Sequence, residues 1–256
     1  MSKVITIASQ KGGVGKTTTA VNLGASLGVF ERKTLVVGID PQCGLWLSFG
    51  RNKENLRGGV YDAVVNSTEP AKIIHGTEIE FLNFIPANIW SNEEETRYLT
   101  TITQDILSIK RIIDKIKDDY EYVLVDCPPS LGAVTVAGMA AADYLLVPVQ
   151  SEYFALKTIG RLIRAARVVG RKYNPNLKLL GFLLTMVDSR TAASVEVVKS
   201  LQDDLKGKVF NTKIPRNVRL SEVPKLGKPV VLFDVVCPGA KAHLDLTREV
   251  IEKTKG

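Results

Sequence analysis

One segment of the sequence combines lysines, glycines and threonines in a spacing that suits phosphate binding. It reads Ser9-Gln10-Lys11-Gly12-Gly13-Val14-Gly15-Lys16-Thr17-Thr18 and lies between an apolar run and a helical pattern. Glycines let backbone N–H groups point at an anion, and a helix N-terminus adds partial positive charge. We expect Lys16 to reach the outer phosphates of a nucleotide and the Thr17 hydroxyl to bind magnesium. The alternative is a glycine-rich turn without a ligand, since Gln10 stands where the usual pattern has glycine.

Two aspartates follow apolar runs that are typical of buried strands. Asp40 comes after Thr34–Ile39 and precedes Pro41, and Asp126 ends the run that begins at Tyr122. An aspartate at the carboxyl end of a strand can orient water or magnesium beside a γ-phosphate, and an ordinary Asp-Pro turn is the alternative for Asp40. Asp126 is expected to bind magnesium, usually through water.

These residues need a scaffold, and the apolar pattern predicts one. Runs rich in Val, Ile and Leu predict strands at Lys3–Ser9, Thr34–Ile39, Phe81–Ile85, Tyr122–Asp126, Tyr144–Val149, Leu179–Val187 and Val209–Ile214. Helical patterns lie at Thr17–Phe30, Thr101–Lys117, Ala133–Ala141, Tyr153–Lys172, Ala192–Leu205 and Ala240–Lys255. This alternation predicts a single doubly wound α/β domain over residues 1–256, with helices on both faces of a mostly parallel sheet and ligands at the strands' carboxyl ends.

The composition narrows the class of protein. With 45% hydrophobic and 24% charged residues among 256, the chain is too apolar for a disordered protein. Three widely spaced cysteines fit reduced thiols in a cytoplasm, and we recognise no secretory signal. Lysine and arginine exceed aspartate and glutamate by 34 − 27 = 7, so an anionic partner is worth testing.

The phosphate-binding segment resembles the deviant Walker A loop of the ParA/MinD family of dimeric ATPases, which carries a second lysine before the glycines. The resemblance implies that ATP and Mg²⁺ are the cofactors. It also implies a homodimer, in which Lys11 crosses the interface to the partner's nucleotide. Lys11, Lys16 and Asp40 are then the expected catalytic residues. The expected ATP contacts in the loop are Lys11, Gly12, Gly13, Val14, Gly15, Lys16, Thr17 and Thr18, and the expected magnesium ligands are Thr17, Asp40 and Asp126.

The regions around the two aspartates resemble switch I and switch II of the same family. Asp126-Cys127-Pro128-Pro129-Ser130 fits switch II, and Asp40-Pro41-Gln42 fits switch I. The resemblance to switch I implies that Asp40 positions the attacking water, because the family needs this aspartate for hydrolysis. Two positions depart from the pattern, because the family often has aspartate where Gly38 lies and Gly-Asn where Cys43–Trp46 begins. A small buried thiol is the expected state of Cys127. In the family, the segments matching Leu183–Asp188 and Ile214–Asn217 flank the adenine, so Met186, Pro215 and Asn217 are candidate base contacts. Strand ends and a turn are the alternative.

Two late segments, Thr185–Thr191 and Ile214–Glu222, resemble the small chromosomal (Soj-type) ParA branch. In that branch, arginines matching Arg190 and Arg219 help to bind double-stranded DNA without sequence specificity. Arginine suits this role because it grips phosphate bidentately. A surface ion pair is the alternative for each. The branch also implies a ParB-like activator, a nucleoid-associated location in the cytoplasm and the segregation of a chromosome, plasmid or other cargo.

The spacing of basic residues along Tyr153–Lys172 indicates a further candidate DNA surface. Steps of three and four residues place one set on a single helix face: Lys157, Arg161, Arg164, Arg167 and Arg171. An ordinary solvated helix face is the alternative.

Two other functions compete with DNA partitioning. A MinD-like ATPase would bind a membrane through a C-terminal amphipathic helix, whereas residues 244–256 contain no aromatic side chain and predict a helix packed on the domain. We therefore expect no membrane partner. A cluster-assembly or ligase-like ATPase would need paired cysteines or a second-substrate motif, and we recognise neither. The sequence starts close to the first predicted strand, so we expect no N-terminal helix-turn-helix domain.

Overall fold

The computed structural model describes residues 2–42, 44–151, 155–188, 192–205 and 207–255, without the side chains of residues 155, 157 and 192–195. These residues form one eight-stranded sheet, with strand order β3-β4-β2-β5-β1-β6-β7-β8. The strands are β1 (Lys3–Ile7), β2 (Thr34–Gly38), β3 (His75–Gly76), β4 (Leu82–Ile85), β5 (Tyr122–Asp126), β6 (Tyr144–Gln150), β7 (Lys178–Val187) and β8 (Val209–Pro215). All neighbouring pairs are parallel except β3 with β4. The predicted mostly parallel sheet is confirmed.

Helices cover both faces of the sheet, as the continuous apolar strands require. They are α1 (Lys16–Val29), α2 (Val60–Val65), α3 (Asn92–Gln104), α4 (Ser108–Asp114), α5 (Ala133–Ala140), α6 (Ala155–Lys172), α7 (Ala192–Asp204), α8 (Val218–Leu226), α9 (Val230–Phe233) and α10 (Pro238–Lys253). One hydrophobic core joins the sheet to α2 through α7. The other joins it to α1, α8, α9, α10 and a 3-10 helix at Leu45–Phe49.

The prediction of one helix at Thr101–Lys117 is wrong. The chain instead forms α3 and α4, which are separated at Asp105, whose φ of −141° and ψ of 84° are not helical. The Asp105 carboxylate accepts a hydrogen bond from Arg111 in α4, and this contact joins the residue at the break to the second helix. Helix α3 begins nine residues earlier than predicted, after Ser91, whose hydroxyl and the Glu94 carboxylate form a capping box. None of the described helices is long and apolar enough to cross a membrane.

The strand order brings the predicted site together. Strand β5 lies between β1 and β2, with Asp126 in register with Ile7 at the end of β1 and with Gly38 at the end of β2. Because all three strands are parallel, their carboxyl ends lie at one edge of the sheet. The phosphate-binding loop, Asp40 and Asp126 therefore share that edge.

Candidate nucleotide site

The loop between β1 and α1 has the backbone that an anion cradle needs. Gly13 and Gly15 have φ of +71° and +86°, in the left-handed region that glycine adopts without strain. A Cβ added at either glycine would meet no described atom within 4 Å, so backbone conformation, not crowding, calls for glycine there. Gly15 is also the N-cap of α1 and has no side chain to occupy the first N–H groups of the helix. These groups can bind phosphate oxygens.

Lys16, the first residue of α1, is 7% exposed, and its ammonium lies inside the loop. Its Nζ donates to the Lys11 carbonyl oxygen at 3.3 Å. A buried ammonium requires acceptors, and phosphate oxygens would supply stronger ones than the Lys11 carbonyl. The geometry fits the predicted role of Lys16.

The second loop lysine has a different partner. The Lys11 Nζ donates to Gln150 Oε1 at 3.3 Å, at the end of β6. The Lys11 side chain therefore contacts its own chain here, and its contact with a partner's nucleotide across a dimer interface stays a prediction.

Two of the predicted magnesium ligands meet directly. The Thr17 hydroxyl donates to Asp126 Oδ2 at 2.7 Å, although 109 residues separate them. Asp126 is fully buried, and hydroxyl and carboxylate oxygens are the hard ligands that Mg²⁺ prefers. The donor set at this point fits a magnesium ion that keeps most of its water ligands.

The third candidate ligand, Asp40, lies two residues beyond β2. Its Oδ1 accepts a hydrogen bond from the Gln42 N–H at 3.0 Å, which closes a turn around Pro41. Burial raises the pKa of Asp40 above its ordinary value; the Gln42 hydrogen bond and the Lys16 ammonium oppose this shift, and the Glu95 carboxylate adds to it. Asp40 therefore shares the electrostatic environment of the loop.

A cavity of about 130 Å³ opens beside the loop and is lined by all three candidate base contacts, Met186, Pro215 and Asn217. The Thr185 hydroxyl donates to the Val14 carbonyl oxygen at 2.9 Å, which ties β7 to the loop. Asn217 also has a structural role, because its side chain caps α8 by accepting from the Arg219 N–H. The cavity has further lining residues that the sequence analysis did not identify: Thr19, Thr185, Ile214, Arg216, Leu220 and Ser221.

The candidate DNA-binding residues do not form one cluster. The Arg219 guanidinium contacts Glu222 at 3.0 Å and Asp234 at 3.1 Å, so it forms the ion pairs that were the alternative for it. Arg161 and Arg164 are exposed on α6, which packs on the opposite face of the sheet from α8. Arg190 and the side chain of Lys157 lie outside the described residues.

The two departures in switch I are physically linked. Gly38 is buried, and a Cβ added to it would lie 3.0 Å from Cδ2 of Leu45, which is itself fully buried. Leu45 is the first residue of the 3-10 helix Leu45–Phe49, directly after the two positions where the family often has Gly-Asn. The absence of a side chain at position 38 thus makes room for Leu45.

Cys127, next to Asp126, is fully buried, and burial raises the pKa of its thiol well above the ordinary value. Such a thiol stays protonated and unreactive, which confirms the expectation of a small buried side chain. Within the described residues, no group of three or more His, Cys, Asp and Glu side chains could hold a metal.

Sequence reasoning missed the contribution of α3. Glu95 and Tyr98 contact the chain on either side of Asp40. The capping-box spacing of Ser91 and Glu94 was the available signal, because it marks the start of a helix ahead of the predicted one.

Comparisons with known proteins agree with this geometry. A family model described as an AAA domain matches residues 2–179. The chain is 42% identical over 250 residues to the sporulation initiation inhibitor protein Soj of Bacillus subtilis, covering 98% of both chains. It is 39% identical over 253 residues to the chromosome partitioning protein ParA of Myxococcus xanthus, covering 99% of this chain and 89% of the relative.

A solved structure shows the same fold. The chain superimposes on cobyrinic acid a,c-diamide synthase from Mycobacterium smegmatis with bound ADP and magnesium, with a TM-score of 0.85 and 31% identity. The match covers 100% of this chain and 96% of that one. The full-length sequence similarity and the phosphate-loop geometry lead to one conclusion: the chain belongs to the ParA/Soj family of chromosome-partitioning ATPases.

Proposed function

We propose that the protein, an ATPase that uses Mg²⁺, binds ATP at residues 11–18 and uses the nucleotide to control its binding to DNA. One observation carries the proposal: the buried Lys16 ammonium and the Thr17–Asp126 pair at 2.7 Å lie side by side at the start of α1. This arrangement supplies a cation for phosphate oxygens from the first turn of α1, and two oxygens for a hard metal ion, one from Thr17 and one from Asp126 at the end of β5.

The chain's own residues have distinct tasks in the proposed ATPase cycle. The N–H groups of the loop and Lys16 bind phosphate oxygens, and Thr17 with Asp126 holds the metal. Bound magnesium would neutralise charge on the β- and γ-phosphates. Asp40 orients the attacking water, and its burial makes the carboxylate a stronger hydrogen-bond acceptor than an exposed aspartate.

We propose that ATP binding drives dimerisation and that Lys11 then contacts the nucleotide of the partner subunit. For Lys11 to reach a partner's nucleotide, its ammonium must leave Gln150 Oε1, a partly buried amide acceptor at 3.3 Å. A phosphate anion is a stronger acceptor than an amide oxygen, so the exchange is favourable once the partner's triphosphate is close. Closure of two protomers on ATP would then double the basic surface presented to DNA.

Double-stranded nucleoid DNA is the proposed polyanion. Exposed Arg161 and Arg164 on α6, and separately Arg219 on α8 at the opposite face of the sheet, would contact phosphates without reading bases. We place Lys157 and Arg190 in the same role. A ParB-like activator would stimulate hydrolysis and release the DNA, which would move a chromosome, plasmid or other cargo in the cytoplasm.

The packing of helix α10 favours DNA, and not a membrane, as the partner of the protein. Leu246 and Val250 of α10 are fully buried in the core shared with α1 and β8, and Leu244 and Ile251 pack against that core partly buried. Insertion into lipid would require that face to leave the core. Similarity to Soj at 42% identity also favours partitioning over the activity named for the 31% identical synthase.

A DNA-binding titration tests the proposal. The Asp40→Asn variant would be loaded with ATP and Mg²⁺ or with ADP and Mg²⁺, and binding to a labelled random-sequence duplex would be followed by fluorescence anisotropy. We expect tight, salt-sensitive binding with ATP only, together with a dimer in light scattering. Equal binding with ADP would contradict the nucleotide control. Binding of anionic vesicles with ATP, without binding of the duplex, would favour the membrane alternative.

A further inference from the structure

Helix α3 contacts the chain on both sides of Asp40. The Tyr98 hydroxyl donates to the Ile39 carbonyl oxygen at 3.0 Å, one residue before Asp40. The Glu95 carboxylate accepts from Gln42 Nε2 at 2.8 Å, two residues after Asp40. Glu95 and Tyr98 are three residues apart, so they lie on the same face of α3.

Each contact acts on a residue that helps to set the Asp40 turn. Tyr98 is fully buried, and burial raises the pKa of its phenol well above the ordinary value, so it remains a hydrogen-bond donor. Gln42 donates its backbone N–H to Asp40 Oδ1 at 3.0 Å while its side chain donates to Glu95. Gln42 thus connects Glu95 to the Asp40 carboxylate through one residue.

The sheet supports the start of the Asp40 turn, because Ile39 is fully buried and its N–H donates to the Asp126 carbonyl oxygen at 3.0 Å. The end of the turn at Gln42 is exposed. A further contact joins the same segment to the chain just before α3, where the rings of Trp46 and Trp90 lie 5.7 Å apart. Helix α3 and the residues that lead into it therefore provide three contacts to the segment 39–46.

We propose that Glu95 and Tyr98 are positioning residues that hold Asp40 in the geometry needed for ATP hydrolysis. Glu95 acts through Gln42, and Tyr98 acts through the backbone at Ile39. The inference rests on the proposed function, in which Asp40 orients the attacking water. A small displacement of such a group lowers the rate of the chemical step with little effect on substrate binding.

Single-turnover hydrolysis of ATP with Mg²⁺ measures the chemical step, and an independent titration measures ATP affinity. Removing the acceptor in Glu95→Ala is expected to slow hydrolysis roughly tenfold or more while ATP affinity stays within about twofold. Glu95→Gln keeps an oxygen that can accept from Gln42, so its rate should stay within about threefold of the native protein. Glu93→Ala is the matched control, because Glu93 lies exposed on the same first turn of α3.

Intrinsic fluorescence gives a second readout, because Trp46 and Trp90 are the two tryptophans of the chain. Release of the segment in Glu95→Ala should shift the emission to longer wavelength, and Glu95→Gln should not. A native hydrolysis rate in Glu95→Ala, or equal losses in Glu95→Ala and Glu95→Gln, would overturn the inference.

The Asp40→Asn variant separates this inference from the function on which it rests. If Asp40→Asn hydrolyses ATP at the native rate, the water-orienting role of Asp40 fails. If Asp40→Asn is inactive and Glu95→Ala is fully active, the role of Asp40 stands and only the inference about α3 fails.

Discussion

A double-mutant cycle on Gly38 and Leu45 tests whether the two departures in switch I compensate for each other. Gly38→Asp would restore the residue that the family often has. Its Cβ would lie 3.0 Å from Leu45 Cδ2 and 3.4 Å from Leu45 Cβ, so Leu45 must shift. The new carboxylate would also be buried next to Asp126, the in-register residue on the neighbouring strand.

These effects set the expected magnitude. Overpacking a core costs about 1–3 kcal/mol, and burying a polar group without full hydrogen bonding costs about 1–3 kcal/mol. We therefore expect Gly38→Asp to lower the free energy of unfolding by about 3 kcal/mol. In a chain of this size that loss corresponds to a fall in Tm of roughly 6–12 °C.

Leu45→Ala alone should cost about 2–5 kcal/mol, because it leaves a cavity in a closed core. In the double variant, the smaller side chain at position 45 makes room for the carboxylate introduced by Gly38→Asp. The combined loss should therefore fall short of the sum by at least about 1 kcal/mol.

Unfolding would be followed by circular dichroism without nucleotide. Gly76→Asp is the matched control, because a Cβ at Gly76 would meet no described atom within 4 Å. We expect it to cost less than about 1 kcal/mol. Additive losses in the Gly38 and Leu45 cycle, or a Gly38→Asp protein as stable as the control, would refute the compensation.

Three further predictions each concern one residue. Thr17→Ala should weaken ATP binding about tenfold or more in the presence of Mg²⁺ and leave binding in EDTA unchanged, as measured by nucleotide titration; equal loss in both conditions would contradict a metal-binding role. Arg219→Gln should reduce the magnitude of the slope of log K for DNA binding against log salt concentration by about 1 per protomer, because one phosphate contact is lost. Arg248→Gln on α10 should not change this slope. Burial lowers the pKa of His243 from 6.5 to about 4, and its Nδ1–H already donates to the Gly239 carbonyl oxygen. Because the unfolded chain takes up this proton below pH 6.5 and the folded chain does not until about pH 4, stability is lost as the pH falls through that window. Between about pH 6.5 and pH 5 the native protein should lose roughly 1.5 kcal/mol more than His243→Gln in denaturant titrations.

Local sequence determined the phosphate-binding loop, the two aspartates and the alternation of strands and helices. Backbone conformation at Gly13 and Gly15 depends on residue type, and the position of Lys16 at the start of α1 depends on neighbours within a few residues. Such features can be predicted without knowing the sheet. Local pattern was less reliable at α3, where a break at Asp105 depends on its contact with Arg111 as well as on its own residue type.

Only the tertiary structure decided which of these features meet. The Thr17–Asp126 contact requires β5 to lie beside β1, and the cavity at Met186 and Pro215 requires β7 and β8 to lie beside each other near the loop. The ion pair of Arg219 with Asp234 depends in the same way on how α8 packs, whereas Glu222 lies three residues further along the same helix. A strand pattern records that a strand is buried and does not record its neighbours, because the hydrophobic effect that buries it is non-directional.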